Sequence, residues 1–337
     1  MEPAAELLSD LLKAVSRSFY LTLRALPAPV RSQIGLAYLL ARATDTIADT
    51  RIIPIEHRLE AIRKLRERIR AGSGEQVDFG GLACHVGTGA ERALLDRAEE
   101  ALTVLTSFEP ADQQRIRDVL SVITSGQELD LQRFATASAE QIVALQTDAE
   151  LDDYTYRVAG CVGEFWTRIC RAHLFPRAEV DEAFLMTNAV RFGKGLQLVN
   201  VLRDLPCDLQ QGRCYLPADR LATAGFAPVD LLKPEHEPQF RALYQSYLAL
   251  AESHLAAGWD YTNALPRAQV RVRLACAWPA LIGIKTIEKL RVGSVLDTQR
   301  RIKVSRAEVR GLVVRSLLLY PFPNAWRNLF THGRTLG

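Results

Sequence analysis

The sequence predicts an all-α protein, and two observations support that prediction. Apolar residues recur at helical spacing along most of the 337-residue chain; in EHRLEAIRKLRERIR, for example, Leu59, Ile62, Leu65 and Ile69 share one face. Alternation typical of β-strands is hard to find, and no Asn-Gly hairpin occurs. With 48% apolar and 24% charged residues, a chain of this length can bury a sizeable core.

Two breaks interrupt the helical pattern. Residues 71–90 contain six glycines, and GFAPVDLLKPEHEPQ separates the middle of the chain from the C-terminal helices. Neither break changes the composition, so residues 1–337 are predicted to form a single helical domain. Gly87-x-Gly89 in the first break lacks the third glycine and the βαβ context of a dinucleotide-binding site.

Charge and hydropathy restrict the classes of partner. A net charge of +3 is too small to indicate a nucleic-acid partner. No apolar run is long enough for a transmembrane helix, and the scattered cysteines favour reduced thiols in the cytoplasm. The apolar and basic end, SLLLYPFPNAWRNLFTHGRTLG, indicates either peripheral contact with the inner face of a membrane or a last core helix with a tail. The sequence does not fix the oligomeric state.

Two pairs of aspartates share a spacing of four residues. Asp45 and Asp49 lie in ARATDTIADT, one turn after Arg42, and Asp204 and Asp208 repeat the spacing in LRDLPCDLQ. Residues four apart are neighbours on one face of a helix, so each pair can present two carboxylates together.

The second pair continues a polar stripe. Gln197, Asn200, Asp204 and Asp208 recur at steps of three and four residues, with Arg203 beside them. Pro206 lies inside this stretch, so the helix is expected to end or kink near it.

Spacing alone does not identify a site, because Asp148 and Asp152 have the same spacing. They lie at a predicted helix start, where acidic side chains cap the helix and complement its dipole. The other two pairs differ because arginine, and in one case asparagine, accompanies them.

Two facing pairs of carboxylates would repel each other without cations between them. Mg²⁺ prefers oxygen ligands and is commonly completed by waters and substrate phosphates, and arginine suits phosphate oxygens. The hypothesis is therefore a helical cavity in which two acidic walls hold a diphosphate through Mg²⁺. The alternative is a pair of surface helices that never meet.

Four blocks in order resemble the squalene and phytoene synthase family: SRSFYLTLRALP, YLLARATDTIAD, YTYRVAGCVG and GLQLVNVLRDLPCDLQQGRCYLP. The resemblance implies the all-α isoprenoid synthase fold, with helices around a central catalytic cavity. It also implies head-to-head condensation of two prenyl diphosphates. SRSF and VAGCVG are closer to squalene synthases, whereas GRCYLP is similar to phytoene synthases and bacterial relatives, and a bacterial squalene synthase is preferred.

The resemblance implies roles for individual residues. Catalytic roles fall to Arg42, Asp45, Asp49, Tyr154, Asp204 and Asp208. Metal binding falls to Asp45, Asp49, Asn200, Asp204 and Asp208. Substrate binding falls to Ser16, Arg17, Ser18, Phe19, Tyr38, Gln197, Asn200 and Arg203. For Ser16 the alternative is a helix cap, and for Phe19 and Tyr38 it is a place in the core.

The expected substrate is farnesyl diphosphate, converted through presqualene diphosphate with Mg²⁺, and then reduced to squalene by NADPH. Lys303 and Arg306, in the basic segment LDTQRRIKVSRAEVR, are expected to meet NADPH phosphates, unless this segment is only a solvated linker. The alternative product is dehydrosqualene or phytoene, formed by proton loss without NADPH. A more distant alternative is a non-catalytic prenyl-lipid binder of the same fold.

Overall fold

The computed structural model describes residues 10–16, 20–72, 76–299 and 301–332. These residues divide into two compact units: unit 1 lies within residues 1–132 and 165–177, and unit 2 within 133–164 and 178–337. Helix makes up 76% of the structure, and the described part contains two strands of two residues each. The all-α prediction is therefore confirmed, whereas the expectation of a single domain stays a prediction.

Unit 1 contains two long helices, one of 22 and one of 24 residues. Its helices are α1 (Leu12–Val15), α2 (Tyr20–Ala25), α3 (Ala28–Asp49), α4 (Ile55–Ala71), α5 (Gly80–Ala83), α6 (Gly89–Asp96), α7 (Ala98–Thr106) and α8 (Pro110–Arg133). Helix α4 was predicted from its periodicity, and it ends at Gly72, whose φ of 70° closes the helix in the left-handed region. The predicted glycine-rich break contains the short helix α5.

Helix α3 shows how unit 1 positions its polar residues. Leu36, Leu39, Leu40 and Ile47 recur at helical spacing and are fully buried. Because these residues occupy the core face of α3, Arg42 and the two aspartates after it fall on the other side of the helix.

Unit 2 contains the second acidic pair. Its elements are β1 (Val143–Ala144), α9 (Asp148–Thr155), a π-helical turn (Tyr156–Gly160), the start of α10 (Cys161–Leu174), α11 (Glu182–Gln210), β2 (Arg213–Cys214), α12 (Ala218–Thr223), two 3₁₀ turns (Pro228–Leu232 and Pro234–His236), α13 (Glu237–Ala264), α14 (Val270–Val292), α15 (Arg306–Leu319), α16 (Pro323–Arg327) and α17 (Leu329–His332). The strands pair in parallel, with Val143 opposite Arg213 and Ala144 opposite Cys214.

Helix α11 continues past Pro206 to Gln210, so of the two outcomes expected at the proline, an end or a kink, the end is excluded and the kink stays a prediction. A proline inside a helix frees the carbonyl four residues earlier, here that of Leu202. The Tyr244 hydroxyl on α13 donates a hydrogen bond to this carbonyl over 3.0 Å. A tertiary contact thus satisfies the group that the proline leaves without its helical partner.

Glycine lets α11 and α13 pack closely. A Cβ atom at Gly258 would lie 2.3 Å from Cδ2 of Phe192 on α11, a distance that no side chain tolerates. This packing fixes the apolar side of α11 and therefore the orientation of its polar stripe. None of the described helices is both long and apolar enough to cross a bilayer.

Candidate active site

In unit 1, one arginine joins two acidic side chains. Arg42 Nη1 donates to Asp45, and Arg42 Nη2 donates to Glu91 Oε1 over 2.6 Å. The arginine is 19% exposed and Glu91 is 16% exposed, so this bridge is largely shielded from water. The predicted association of Arg42 with the first acidic pair is therefore present in the structure.

The carboxyl of Asp45 is poorly neutralised. Loss of hydration raises its pKa to about 6, and the negative charge of Asp49 acts in the same direction while Arg42 opposes it. The Asp45 side chain is nevertheless 44% exposed, so water or a hydrated cation can reach it. Asp45 and Glu91 share one arginine and Asp49 adds a further negative charge beside Asp45, so the site favours an added cation.

Glu91 is a component of this cluster that the sequence analysis missed. Thr88 caps α6 by accepting a hydrogen bond from the Glu91 amide, and its hydroxyl donates to Glu91 Oε2 over 2.9 Å. The Thr-x-x-Glu spacing is typical of a capping box and could have indicated a helix start. Nothing in the sequence connects that helix start to Arg42, 49 residues away.

A cavity of about 200 Å³ adjoins the cluster in unit 1. Arg42, Asp49, Arg51, His85 and Glu91 are among its lining residues. The cavity therefore combines cationic and acidic groups at the end of α3, where a diphosphate with a bound cation could be held.

The remaining predicted residues of unit 1 have different outcomes. Ser16 is buried at the end of α1, and its Oγ has no hydrogen-bond partner among the described residues, so its side chain does not cap this helix. The Tyr38 hydroxyl donates to the Val15 carbonyl over 3.4 Å. Arg17, Ser18 and Phe19 lie outside the described residues.

In unit 2, Tyr154 is tied to the polar stripe of α11. Gln197 Nε2 donates to the Tyr154 hydroxyl over 3.0 Å. The Tyr154 ring is 9% exposed and stacks on Tyr215, with ring centroids 4.5 Å apart. These contacts hold the hydroxyl at one position beside α11.

A close backbone approach makes the contact between Tyr154 and Gln197 possible. The π-helical turn follows α9 directly, and a Cβ atom at Gly193 of α11 would lie 2.2 Å from the Ala159 carbonyl oxygen. Only glycine permits this approach. Single π-helical turns within helices occur frequently at functional sites.

Two arginines hold the carboxylate of Asp204. Arg203 Nε and Arg301 Nη2 each donate to its Oδ1 over 3.0 Å. Burial alone would raise the pKa of Asp204, but the hydrogen bonds and charges of Arg203 and then Arg301 lower it. Asp204 is thus kept ionised, and Arg301 brings the basic segment to the second acidic pair.

The other predicted residues of unit 2 are arranged as follows. Asn200 Nδ2 lies 3.4 Å from Gln197 Oε1, and Asp208 is partly buried on the last turn of α11. Lys303 and Arg306 are exposed, and the Lys303 carbonyl accepts a hydrogen bond from Lys289.

The third acidic pair has structural partners. Helix α9 begins at Asp148, as predicted, but the side chain that caps it is that of Thr147 and not that of an aspartate. Asp148 accepts a hydrogen bond from the Tyr247 hydroxyl over 2.7 Å, and Asp152 pairs with Lys194 over 2.7 Å. Identical spacing therefore serves a different purpose here.

The two carboxylate pairs suit Mg²⁺, which takes further ligands from water and substrate, better than they suit a metal ion coordinated by protein side chains alone. No group of three or more His, Cys, Asp or Glu side chains that could hold a metal occurs in the described part of the chain. Asp45 with Asp49, and Asp204 with Asp208, each offer two carboxylates, and Mg²⁺ commonly completes such a set with waters and substrate phosphates.

Comparisons with known proteins agree with these observations. The family model for squalene/phytoene synthase matches residues 12–308. A presqualene diphosphate synthase of Zymomonas mobilis is 28% identical over 272 residues, covering 80% of each chain. A phytoene synthase of Thermus thermophilus is 31% identical over 181 residues, covering 54% of this chain and 58% of that protein.

A solved structure of TcSQS with the ligand BPH1237 has the same fold. It covers 99% of this chain and 90% of its own, with a TM-score of 0.78 and 23% sequence identity. The expectation of the all-α isoprenoid synthase fold is therefore confirmed.

Proposed function

Because the chain belongs to the squalene/phytoene synthase family, whose members are prenyltransferases that condense prenyl diphosphates head to head, we propose that it joins two farnesyl diphosphates through presqualene diphosphate. NADPH-dependent reduction of this intermediate then gives squalene. The observation that carries the proposal is the hydrogen bond from Gln197 to Tyr154, because it joins a candidate proton-transfer group to the helix of the second acidic pair.

Mg²⁺ would be held by Asp45 and Asp49 in unit 1 and by Asn200, Asp204 and Asp208 in unit 2. When bound, it would neutralise charge that develops on the departing diphosphate. That the two acidic pairs face each other across one cavity stays a prediction.

The arginines supply the protein's own charge stabilisation. Arg42 is oriented by Asp45 and Glu91, so its guanidinium is fixed before substrate binds. Arg203 is held in the same way by Asp204. Preorganised guanidinium groups can bind diphosphate oxygens without reorganising as the allylic C–O bond breaks.

Tyr154 is proposed to move the proton that closes the cyclopropane. The C1 carbon of one farnesyl group joins the C2–C3 double bond of the other, and a proton must then leave. The Tyr154 oxygen accepts this proton while its own phenolic proton passes to the released diphosphate. The hydrogen bond from Gln197 orients the tyrosine oxygen for this transfer.

The reduction step is proposed to involve the basic segment. Arg301 pairs with Asp204, and Lys303 and Arg306 follow it as exposed cations. Their charges suit the phosphates of NADPH.

A second candidate is a synthase that releases presqualene diphosphate itself. The match to a presqualene diphosphate synthase over 80% of each chain favours it. The match to a phytoene synthase favours a third outcome, in which the product forms by proton loss. A prenyl-lipid binder without catalysis is the remaining possibility.

The test is incubation of the purified protein with farnesyl diphosphate and Mg²⁺, with and without NADPH, followed by mass analysis of diphosphates and hydrocarbons. Squalene formed only with NADPH supports the full proposal. Presqualene diphosphate that accumulates even with NADPH supports the second candidate. Dehydrosqualene formed both with and without NADPH, or phytoene formed from geranylgeranyl diphosphate, supports the third. If neither substrate gives a product, the protein is a lipid binder.

A further inference from the structure

A cavity of about 220 Å³ in unit 2 is lined by none of the residues assigned to the diphosphate site. Three arginines line it: Arg267 from the loop before α14, Arg273 on α14 and Arg327 at the end of α16. We call this cavity the arginine pocket. A water molecule occupies about 30 Å³ of liquid, so the cavity is large enough for a phosphate group.

Arg273 is buried in an unusual way for a charged side chain. It is 7% exposed, and its guanidinium lies over the rings of Tyr320 and Trp326, 5.5 Å and 5.6 Å from their centroids. Its Nη2 donates to Asn263 Oδ1 over 3.0 Å. Its Nε is buried without a hydrogen-bond partner among the described residues. A buried donor without an acceptor is costly, so it indicates an acceptor that is supplied from outside.

The arginine pocket also lacks a counter-charge. Among the described residues, no carboxylate lines it and none forms an ion pair with Arg267, Arg273 or Arg327. Burial lowers the pKa of Arg273, and the charges of Arg267 and Arg327 act in the same direction, while the Tyr320 hydroxyl opposes them. An oxyanion would satisfy the free Nε–H and neutralise the cluster in one step.

Exposed apolar side chains lie close in sequence to residues that line the arginine pocket. Leu317 and Leu318 at the end of α15 are 49% and 67% exposed, and Phe322 in the turn before α16 is 61% exposed. Tyr320, between them, lines the pocket. Exposed apolar side chains beside arginines are typical of segments that lie in the interface of an anionic membrane.

We propose that the arginine pocket binds the phosphate of an anionic phospholipid at a membrane surface, while Leu318 and Phe322 enter the headgroup layer. Charge complementarity selects this occupant, because three cations without a carboxylate match a phosphate, and the adjoining apolar side chains match acyl chains. The proposal does not depend on which hydrocarbon the enzyme makes.

The test uses the full chain and two double variants that remove the same charge. Arg267→Gln/Arg327→Gln changes the two exposed arginines of the pocket, and Arg63→Gln/Arg70→Gln changes two exposed arginines of α4 as the control. Each protein is sedimented with phosphatidylcholine vesicles that contain or lack phosphatidylglycerol. The unchanged protein should bind only the anionic vesicles, the pocket variant should bind them roughly 25-fold more weakly, and the control should stay within about twofold.

Two further measurements keep the proposal falsifiable. Leu318→Ser/Phe322→Ser should weaken vesicle binding but leave stabilisation by inorganic phosphate unchanged. The proposal is overturned if both double arginine variants bind alike, because net charge would then explain binding. It is also overturned if inorganic phosphate raises the melting temperature through the pocket arginines while anionic vesicles do not bind, since the ligand would then be a free anion, or if neither probe binds.

Discussion

Asp45 in unit 1 and Asp204 in unit 2 begin acidic pairs with identical spacing, yet their carboxyl pKa values are shifted in opposite directions. Asp45 shares Arg42 with Glu91 and has Asp49 as a neighbour, whereas Asp204 is held by Arg203 and Arg301. The difference shows that neighbouring charges, rather than spacing, determine how far the negative charge of a carboxylate pair is neutralised. The first pair has one arginine, which Glu91 shares, whereas Asp204 of the second pair already has two.

The largest effect should come from removing either leading carboxylate. Asp45→Asn and Asp204→Asn should each lower condensation at least about a thousandfold, because diphosphate and cation lose a fixed ligand. Single-turnover formation of presqualene diphosphate measures this loss. Asp148→Asn is the matched control with the same spacing, and it should stay within a few-fold of the unchanged protein. Full activity of Asp45→Asn would refute the assignment of the first pair.

Tyr154→Phe should lower the rate of the first half-reaction by about 10²–10⁴, the range expected for loss of a proton-transfer group. Gln197→Leu should have a smaller effect, roughly tenfold, because it removes only the hydrogen bond that orients the tyrosine. Quenched-flow analysis of presqualene diphosphate distinguishes the two variants. If the intermediate forms at its normal rate in Tyr154→Phe, the proposed role of the tyrosine is wrong.

Glu91→Gln tests whether Arg42 needs its second acidic partner. We expect roughly a tenfold loss of kcat/KM, because Arg42 is then positioned by Asp45 alone. The charge of Glu91 also raises the pKa of Asp45, so the acid limb of the pH–rate profile should move to lower pH.

A matched control for Glu91→Gln is Glu60→Gln, which alters an exposed ion pair with Lys64 on α4. Glu60→Gln should change neither kcat/KM nor the pH of the acid limb. An unmoved acid limb in Glu91→Gln would show that Glu91 does not act through the first acidic pair.

Ionisation of Asp45 and ionisation of Asp204 should change the free energy of unfolding in opposite directions. The raised pKa of Asp45 means that ionisation destabilises the fold as pH rises from about 4, the ordinary value of an aspartate, through 6. The lowered pKa of Asp204 means that its ionised form stabilises the fold above its unfolded pKa, and that this stability is lost as pH falls through the folded pKa.

Without Mg²⁺ at pH 7, Asp45→Asn should therefore raise the urea midpoint and Asp204→Asn should lower it. For Asp45→Asn the difference from the unchanged protein should vanish below about pH 4, and for Asp204→Asn it should shrink as the solution is acidified. Shifts of the same sign in the two variants at pH 7 would contradict the electrostatic comparison.

The sequence was sufficient for the local part of these sites and insufficient for the rest. Periodicity and spacing predicted the helices and both acidic pairs, since they depend on residues within a turn or two. The contacts of Arg42 with Glu91 and of Arg301 with Asp204 join residues 49 and 97 positions apart, which no local pattern reveals. No local pattern could show that α11 continues past Pro206 either, because the hydrogen bond that compensates for the proline comes from another helix.

The hydrogen bond from Tyr244 to the Leu202 carbonyl gives the smallest predicted effect on activity, and this effect is confined to the second acidic pair. Tyr244→Phe leaves the Leu202 carbonyl without a partner inside the protein, so the free energy of unfolding should fall by about 1–3 kcal/mol. Activity should change only a few-fold, through the alignment of Asp208 with Asp204. Pro206→Ala restores a backbone N–H four residues after Leu202, so it should raise the free energy of unfolding by more in the Tyr244→Phe protein than in the unchanged one. Urea unfolding of the two single variants and the double variant measures this coupling. Strictly additive effects would mean that Tyr244 does not compensate for the proline and that α11 tolerates Pro206 for another reason.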